Sequence, residues 1–126
     1  MLNPDFLLLY VDSPKASGAF YADLLGLAPI EAQATFVLFV LPSGLKLGLW
    51  SRYTVEPATA PMGTPLGGGG ELCFTVKDPA DVMATYQSWG DKGLRVMQAP
   101  VQMDFGFTFV ALDPDGHRLR VFSRSE

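Results

Sequence analysis

The sequence holds one cysteine and one histidine in 126 residues, and each scarcity excludes a class of chemistry. A single cysteine, Cys73, forms no internal disulfide and no cysteine metal cluster, which fits a reducing compartment. With His117 as the one imidazole, a serine or cysteine nucleophile has little choice of base. There is no basic run, and 9 basic side chains stand against 13 acidic ones for a formal charge of −4, so electrostatic binding to nucleic acid or anionic membrane is not expected. Long apolar stretches are missing too. The first, at 6–11, is too short for a membrane span and follows an aspartate rather than a basic segment, so the expected location is the cytoplasm. What the chain does have is 48% hydrophobic residues, enough at this length for a core that needs no disulfide or structural metal.

The chain also carries an internal repeat. Offset by 65 positions, Phe6-Leu-Leu-Leu-Tyr-Val-Asp-Ser-Pro14 aligns with Glu71-Leu-Cys-Phe-Thr-Val-Lys-Asp-Pro79 without a gap. A second match pairs Pro42-Ser-Gly-Leu-Lys-Leu-Gly-Leu-Trp-Ser-Arg52 with Pro114-Asp-Gly-His-Arg-Leu-Arg-Val-Phe-Ser-Arg124. Two matches in the same order at nearly the same offset point to a duplicated module. Alternating apolar residues predict strands at 6–11 and 71–76. Ser13-Pro14 and Asp78-Pro79 each open a helix, a capping oxygen preceding proline. The apolar stripes expected are Ala19, Phe20, Leu24 and Leu25 in the first helix, and Val82, Met83, Tyr86 and Trp89 in the second. Gly26 and Gly93 mark the exits. Further strands are expected at 30–31, 36–41 and 45–51, then 95–98, 107–112 and 117–123. The Pro-Ser-Gly and Asp-Pro-Asp-Gly turns join the last two of each set as hairpins. The fold class is therefore α+β, two βαβββ modules at about 5–55 and 71–124 within a single domain. The proline- and glycine-rich segment 56–70 reads as a linker.

This chain resembles the glyoxalase/bleomycin resistance/dioxygenase superfamily, also called vicinal oxygen chelate proteins. The resemblance is carried by Tyr10-Val11 through Phe20-Tyr21 with Leu25-Gly26-Leu27, and by the closing Leu112-Asp-Pro-Asp-Gly-His117. It implies two modules whose curved sheets enclose a cup, in a paired homodimer. It also implies four positions where the family's enzymes hold a divalent metal, here Phe6, Gly48, Glu71 and Arg120. Of these only Glu71 carries a donor suited to a divalent cation. No metal, no cofactor and no catalytic residue is therefore expected, and His117, off the parity of Arg120, is read as a turn or packing residue.

Residues sharing parity on a strand share a face. One face then carries Phe6, Leu8 and Tyr10 with Lys46, Gly48 and Trp50, and another Glu71, Cys73 and Thr75 with Arg118, Arg120 and Phe122. Gly48 either lets a flat ligand approach the backbone beside Trp50 or accommodates a bulky neighbour. Trp50 is a stacking surface or part of the core. Glu71 and Arg120 are expected to pair, closing the floor or fixing a ligand carboxylate. Met103, Phe105 and Phe107 are expected as an adaptable apolar lip around a flexible Gly106, with Phe107 alternatively opening a core strand. Cys73 is expected to be a small buried hydrophobe. Within the superfamily the chain looks most like the phenazine-binding resistance subgroup, through Leu-Tyr-Val at 9–11, Leu-Trp-Ser at 49–51, Glu71, and Asp-Phe-Gly at 104–106. The implied role is sequestration of a planar aromatic antibiotic. The alternatives are a metal-dependent lyase or dioxygenase, or a binder of an ordinary aromatic metabolite.

Overall fold

A computed structural model describes residues 2–59 and 64–125. The elements run β1 (Phe6–Val11), α1 (Pro14–Leu25), β2 (Glu31–Ala32), β3 (Phe36–Val40) and β4 (Lys46–Ser51), then β5 (Glu71–Thr75), α2 (Pro79–Asp91), β6 (Arg95–Met103), β7 (Gly106–Leu112) and β8 (Arg118–Arg124). The chain divides into two units, Met1–Thr64 and Pro65–Glu126, the division falling inside the proline- and glycine-rich segment 56–70. Residues 60–63 of that segment lie outside the described residues. Among the described residues no helix is long and apolar enough to cross a membrane.

In the first unit the strand order is β1-β4-β3-β2, with β1 parallel to β4 and the other pairs antiparallel. The second unit repeats this order and these senses in all four strands, β5-β8-β7-β6. The parallel pair is possible because the helix supplies the crossover between strands that cannot be joined by a tight turn. Ser13 Oγ accepts from Ala16 N at 3.1 Å at the start of α1, and Asp78 Oδ1 accepts from Asp81 N at 2.9 Å at the start of α2. Gly26, at φ 65°, ends α1 in the left-handed conformation that favours glycine.

The core of the first unit packs α1 against Val11, Val37, Phe39, Leu47 and Leu49, all buried. The buried face of α1 is Pro14, Ser17, Gly18 and Tyr21, not the expected stripe of Ala19, Phe20, Leu24 and Leu25. Ala19 is exposed, and Phe20, Leu24 and Leu25 are partly so. The reason is close approach: a Cβ on Gly18 would lie 3.3 Å from both Val37 methyl groups, so small residues set the distance between helix and sheet. In α2, Val82 and Trp89 are buried as expected and Tyr86 is partly so, but Met83 is exposed. Trp89 meets Phe74 and Phe109 edge-on at centroid distances of 5.4 and 5.5 Å, and Tyr86 meets Phe109 at 5.3 Å. Each such ring contributes roughly 1.5–3 kcal/mol by burial.

Two departures from expectation reshape the second unit. Strand β6 runs on past Gln98 to Met103, with register irregularities between Val96 and Gln98 and between Gln98 and Val101. Pro100 sits in that irregular stretch of an edge strand, where a missing N–H is tolerated. Residues 104 and 105 form a tight β6–β7 turn, with Met103 paired to Gly106 at its base. Gly106 is there because the β8 backbone passes close: a Cβ would lie 1.9 Å from the Ser123 carbonyl oxygen.

Candidate functional site

Each sheet gives one face to its helix and keeps another. In the first unit the second face holds Phe6, Leu8 and Tyr10 of β1, Phe36 and Leu38 of β3, and Lys46, Gly48 and Trp50 of β4. The alternation is clean, since Leu47 and Leu49 are fully buried while Phe6, Leu8 and Tyr10 are 41, 41 and 37% exposed. Tyr10 and Phe36 both stand opposite Trp50 in the ladder, and the Tyr10 ring meets the indole edge-on at 6.4 Å. Trp50 is partly exposed on this face rather than packed under α1. At the other end Lys46 Nζ lies 6.0 Å from the Phe6 ring centre and 3.6 Å from the Asp5 carboxylate.

Gly48 leaves no gap at its own backbone. A Cβ there would fall 2.7 Å from Leu8 Cδ2 and 2.9 Å from the Phe36 ring, so the missing side chain makes room for these two neighbours. Phe36 is a member of this face that parity on β1 and β4 alone did not reveal; its register opposite Trp50 depends on the β3–β4 turn at Pro42-Ser-Gly44.

In the second unit the corresponding face is polar. Arg120 Nε donates to Glu71 Oε1 at 2.7 Å and Nη2 to Oε2 at 3.0 Å, a bidentate pair. Its Nη1 donates to Gln98 Oε1 at 3.3 Å and to Thr108 Oγ1 at 3.2 Å, while Thr108 Oγ1 donates to the Val121 carbonyl at 2.8 Å. The Phe105 ring centre lies 5.5 Å from the guanidinium carbon, and the same ring packs edge-on against Phe122 at 5.8 Å. The expected Glu71–Arg120 pair is therefore embedded in a larger network, to which Gln98 and Thr108 are additions. Thr108 is legible from parity with Arg120 across the β7–β8 ladder, whereas the β6 bulge hid Gln98. The Arg120 hydrogen bonds hold the Glu71 carboxyl below the usual carboxylate range, reinforced by the charges of Arg120 and Arg118 against partial desolvation.

Met103 joins this face through a 3.8 Å contact from Gln98 Nε2 to its sulfur. Phe107 does not: it alternates with Thr108 and shares the helix-facing side with Phe109, so it opens a core strand. Cys73 stands opposite Arg120 in the ladder and is exposed, contrary to the buried position expected of it. Its thiol is nevertheless pushed above its ordinary value, first by partial burial and then by Glu71. His117 sits in the turn before β8, its Nδ1 2.8 Å from Asp113 Oδ2. The other Asp113 oxygen accepts from the Asp115 and His117 amides, so the imidazole belongs to the turn.

The ladders give the four positions implied by the resemblance corresponding places in their two units. Leu8 pairs with Gly48 as Cys73 pairs with Arg120, which places Phe6 and Glu71 two residues before the paired position in each. The donor set does not fit a divalent metal: Phe6 and Gly48 offer no donor, Arg120 is a cation, and both Glu71 oxygens already accept from Arg120. Among the described residues no three histidine, cysteine, aspartate or glutamate side chains gather in metal-binding fashion.

Residues 3–121 match the model of the Glyoxalase/Bleomycin resistance protein/Dioxygenase superfamily. The chain belongs to that superfamily. It is 25% identical over 123 residues to the phenazine antibiotic resistance protein EhpR of Enterobacter agglomerans, covering 95% of this chain and 91% of that protein. Protein ATC0852 of Agrobacterium tumefaciens, solved by NMR, is 52% identical and superposes with a TM-score of 0.89, each chain covered in full. A glyoxalase-related enzyme from Fulvimarina pelagi superposes with a TM-score of 0.83 at 18% identity, over 98% of this chain and 89% of the other, a likeness of fold alone. The superfamily's duplicated βαβββ architecture is thus the architecture of this chain.

Proposed function

We propose that the protein sequesters a planar aromatic molecule of the phenazine type and does so without a metal. The observation that carries this reading is the sheet face of the first unit, where Phe6, Tyr10 and Trp50 present apolar and aromatic surface from a rigid sheet. Soluble proteins rarely leave such surface contiguous without a use. Flat aromatics gain from edge and stacking contacts with indole and phenol rings while losing little conformational entropy. Gly48 contributes indirectly, by seating Leu8 and Phe36. On the second unit's face Glu71, Arg120, Met103 and Phe105 are the candidate ligand contacts. The similarity to a phenazine resistance protein supports the choice of ligand class. A homodimer in the cytoplasm goes with this reading, and sedimentation of the purified protein checks the dimer.

The test is a titration of phenazine followed by tryptophan fluorescence. Saturable quenching is expected, and Trp50→Phe removes it because Trp89, the other tryptophan, is buried between α2 and its sheet. Absence of binding across a panel of planar aromatics overturns the proposal. The enzymatic alternative makes a separate demand: stoichiometric divalent metal by elemental analysis after reloading, and loss of ligand affinity on chelation. Protection of cells by expression of the protein distinguishes drug sequestration from binding of an ordinary metabolite.

A further inference from the structure

We propose that Arg118, rather than Arg120, is the residue on the second unit's face that reads an anionic substituent, and that the ligands this face prefers are therefore planar aromatics bearing a carboxylate. This rests on the binding reading above and concerns which guanidinium on the second unit's face is available. Arg120 is engaged at all three of its nitrogens, by Glu71, Gln98 and Thr108, and the Phe105 ring lies against it. To accept a ligand carboxylate it would have to release Glu71 and leave that carboxylate half-buried without its partner.

Arg118 lies two residues earlier on β8 and so on the same face, directly opposite Glu71 in the ladder. Its guanidinium approaches Glu71 only at 3.9 Å, beyond hydrogen-bond reach, and the oxygen it approaches already accepts from Arg120. Its side chain is 44% exposed, against 15% for Arg120. One carboxylate between two guanidinium groups leaves this cluster with one positive charge in excess, and the excess resides on the side chain with unused donors. A planar fork with free N–H groups is the geometry that takes a carboxylate in two parallel hydrogen bonds.

The experiment compares phenazine with phenazine-1-carboxylate, which is ionised at pH 7, on the full-length protein. Wild type is expected to bind the carboxylate about tenfold more tightly, the scale of a charge-assisted hydrogen bond. Arg118→Gln brings the ratio of the two affinities to about one while leaving the affinity for phenazine itself unchanged, and Arg118→Lys retains part of the preference. The preference also shrinks as salt is raised. A preference that persists in Arg118→Gln, or its absence in wild type while phenazine still binds, overturns the role of Arg118 and leaves the binding function standing. Failure of both compounds to bind overturns the function and this inference with it. Because the Arg118 side chain is nearly half exposed, the variant's fold is checked by its unchanged phenazine affinity and thermal midpoint.

Discussion

Arg120 holds Glu71 through two parallel hydrogen bonds, Nε to Oε1 at 2.7 Å and Nη2 to Oε2 at 3.0 Å, across the β5–β8 ladder. The pair occupies two of the four positions that the family resemblance implies for metal ligands, and it joins them by charge-assisted hydrogen bonds instead.

Arg120→Met destabilises the protein more than Glu71→Gln. The first removes the donors to Glu71, Gln98 and Thr108 together and leaves the carboxylate only the charge of Arg118 at 3.9 Å, a loss of about 1–3 kcal/mol. The second leaves Arg120 its bonds to Gln98 and Thr108 and an amide oxygen to reach for. Urea unfolding of both variants measures the order, and the reverse order contradicts this account of the network.

Acid should erode the contribution of Glu71. Its folded-state pKa is depressed below the ordinary value of about 4.5, so its stabilisation is present in full above that value and is lost as pH falls through the lower folded-state value. The stability gap between wild type and Glu71→Gln is therefore constant from pH 7 to about 5 and shrinks below roughly 4.5, as denaturant titrations at several pH values will show. A gap that widens in acid reverses the sign and refutes the assignment.

The Cys73 thiol is exposed yet slow to ionise. Partial burial and the Glu71 carboxylate raise its pKa, while Arg120 opposes them. Alkylation by iodoacetamide should be slower at pH 8 than for a free cysteine, since only the thiolate reacts. Glu71→Gln removes an anion and frees Arg120 to act on the sulfur, so labelling accelerates. No change of rate in that variant would mean that Glu71 does not act on the thiol.

Gly106→Ala is expected to cost more than about 3 kcal/mol, in the range reserved for strain and overpacking. The added methyl would meet the Ser123 carbonyl at 1.9 Å, and a backbone oxygen in the β7–β8 ladder cannot move aside as a side-chain tip can. Thermal melts of this variant beside Gly70→Ala, where a methyl meets nothing within 4 Å, supply the comparison.

Strand parity made both sheet faces readable in advance because a period of two leaves little freedom once one buried residue is placed. Lys46, Gly48 and Trp50 against Leu47 and Leu49 is the clearest instance. The repeat led from Phe6 to Glu71, and the family resemblance led to Arg120. What escaped was set by close approach of backbones, which no pattern of apolar letters records. Gly18 and Ser17, not the larger neighbouring residues, face the sheet because α1 lies tight on Val37. Gly106 reads as a flexible glycine in the sequence, and in the structure it marks a close backbone contact with β8. Gln98 reaches Arg120 because β6 bulges around Pro100, and the register past a bulge cannot be counted from either end.

Gly48 also ties three positions of the first unit's face to one another. With Leu8 and Phe36 standing where its side chain would begin, any donor introduced at that position must displace two established neighbours before it can meet an ion. A larger side chain at 48 is thus accommodated only together with smaller ones at 8 and 36, so this stretch of the face is remodelled as a trio or not at all.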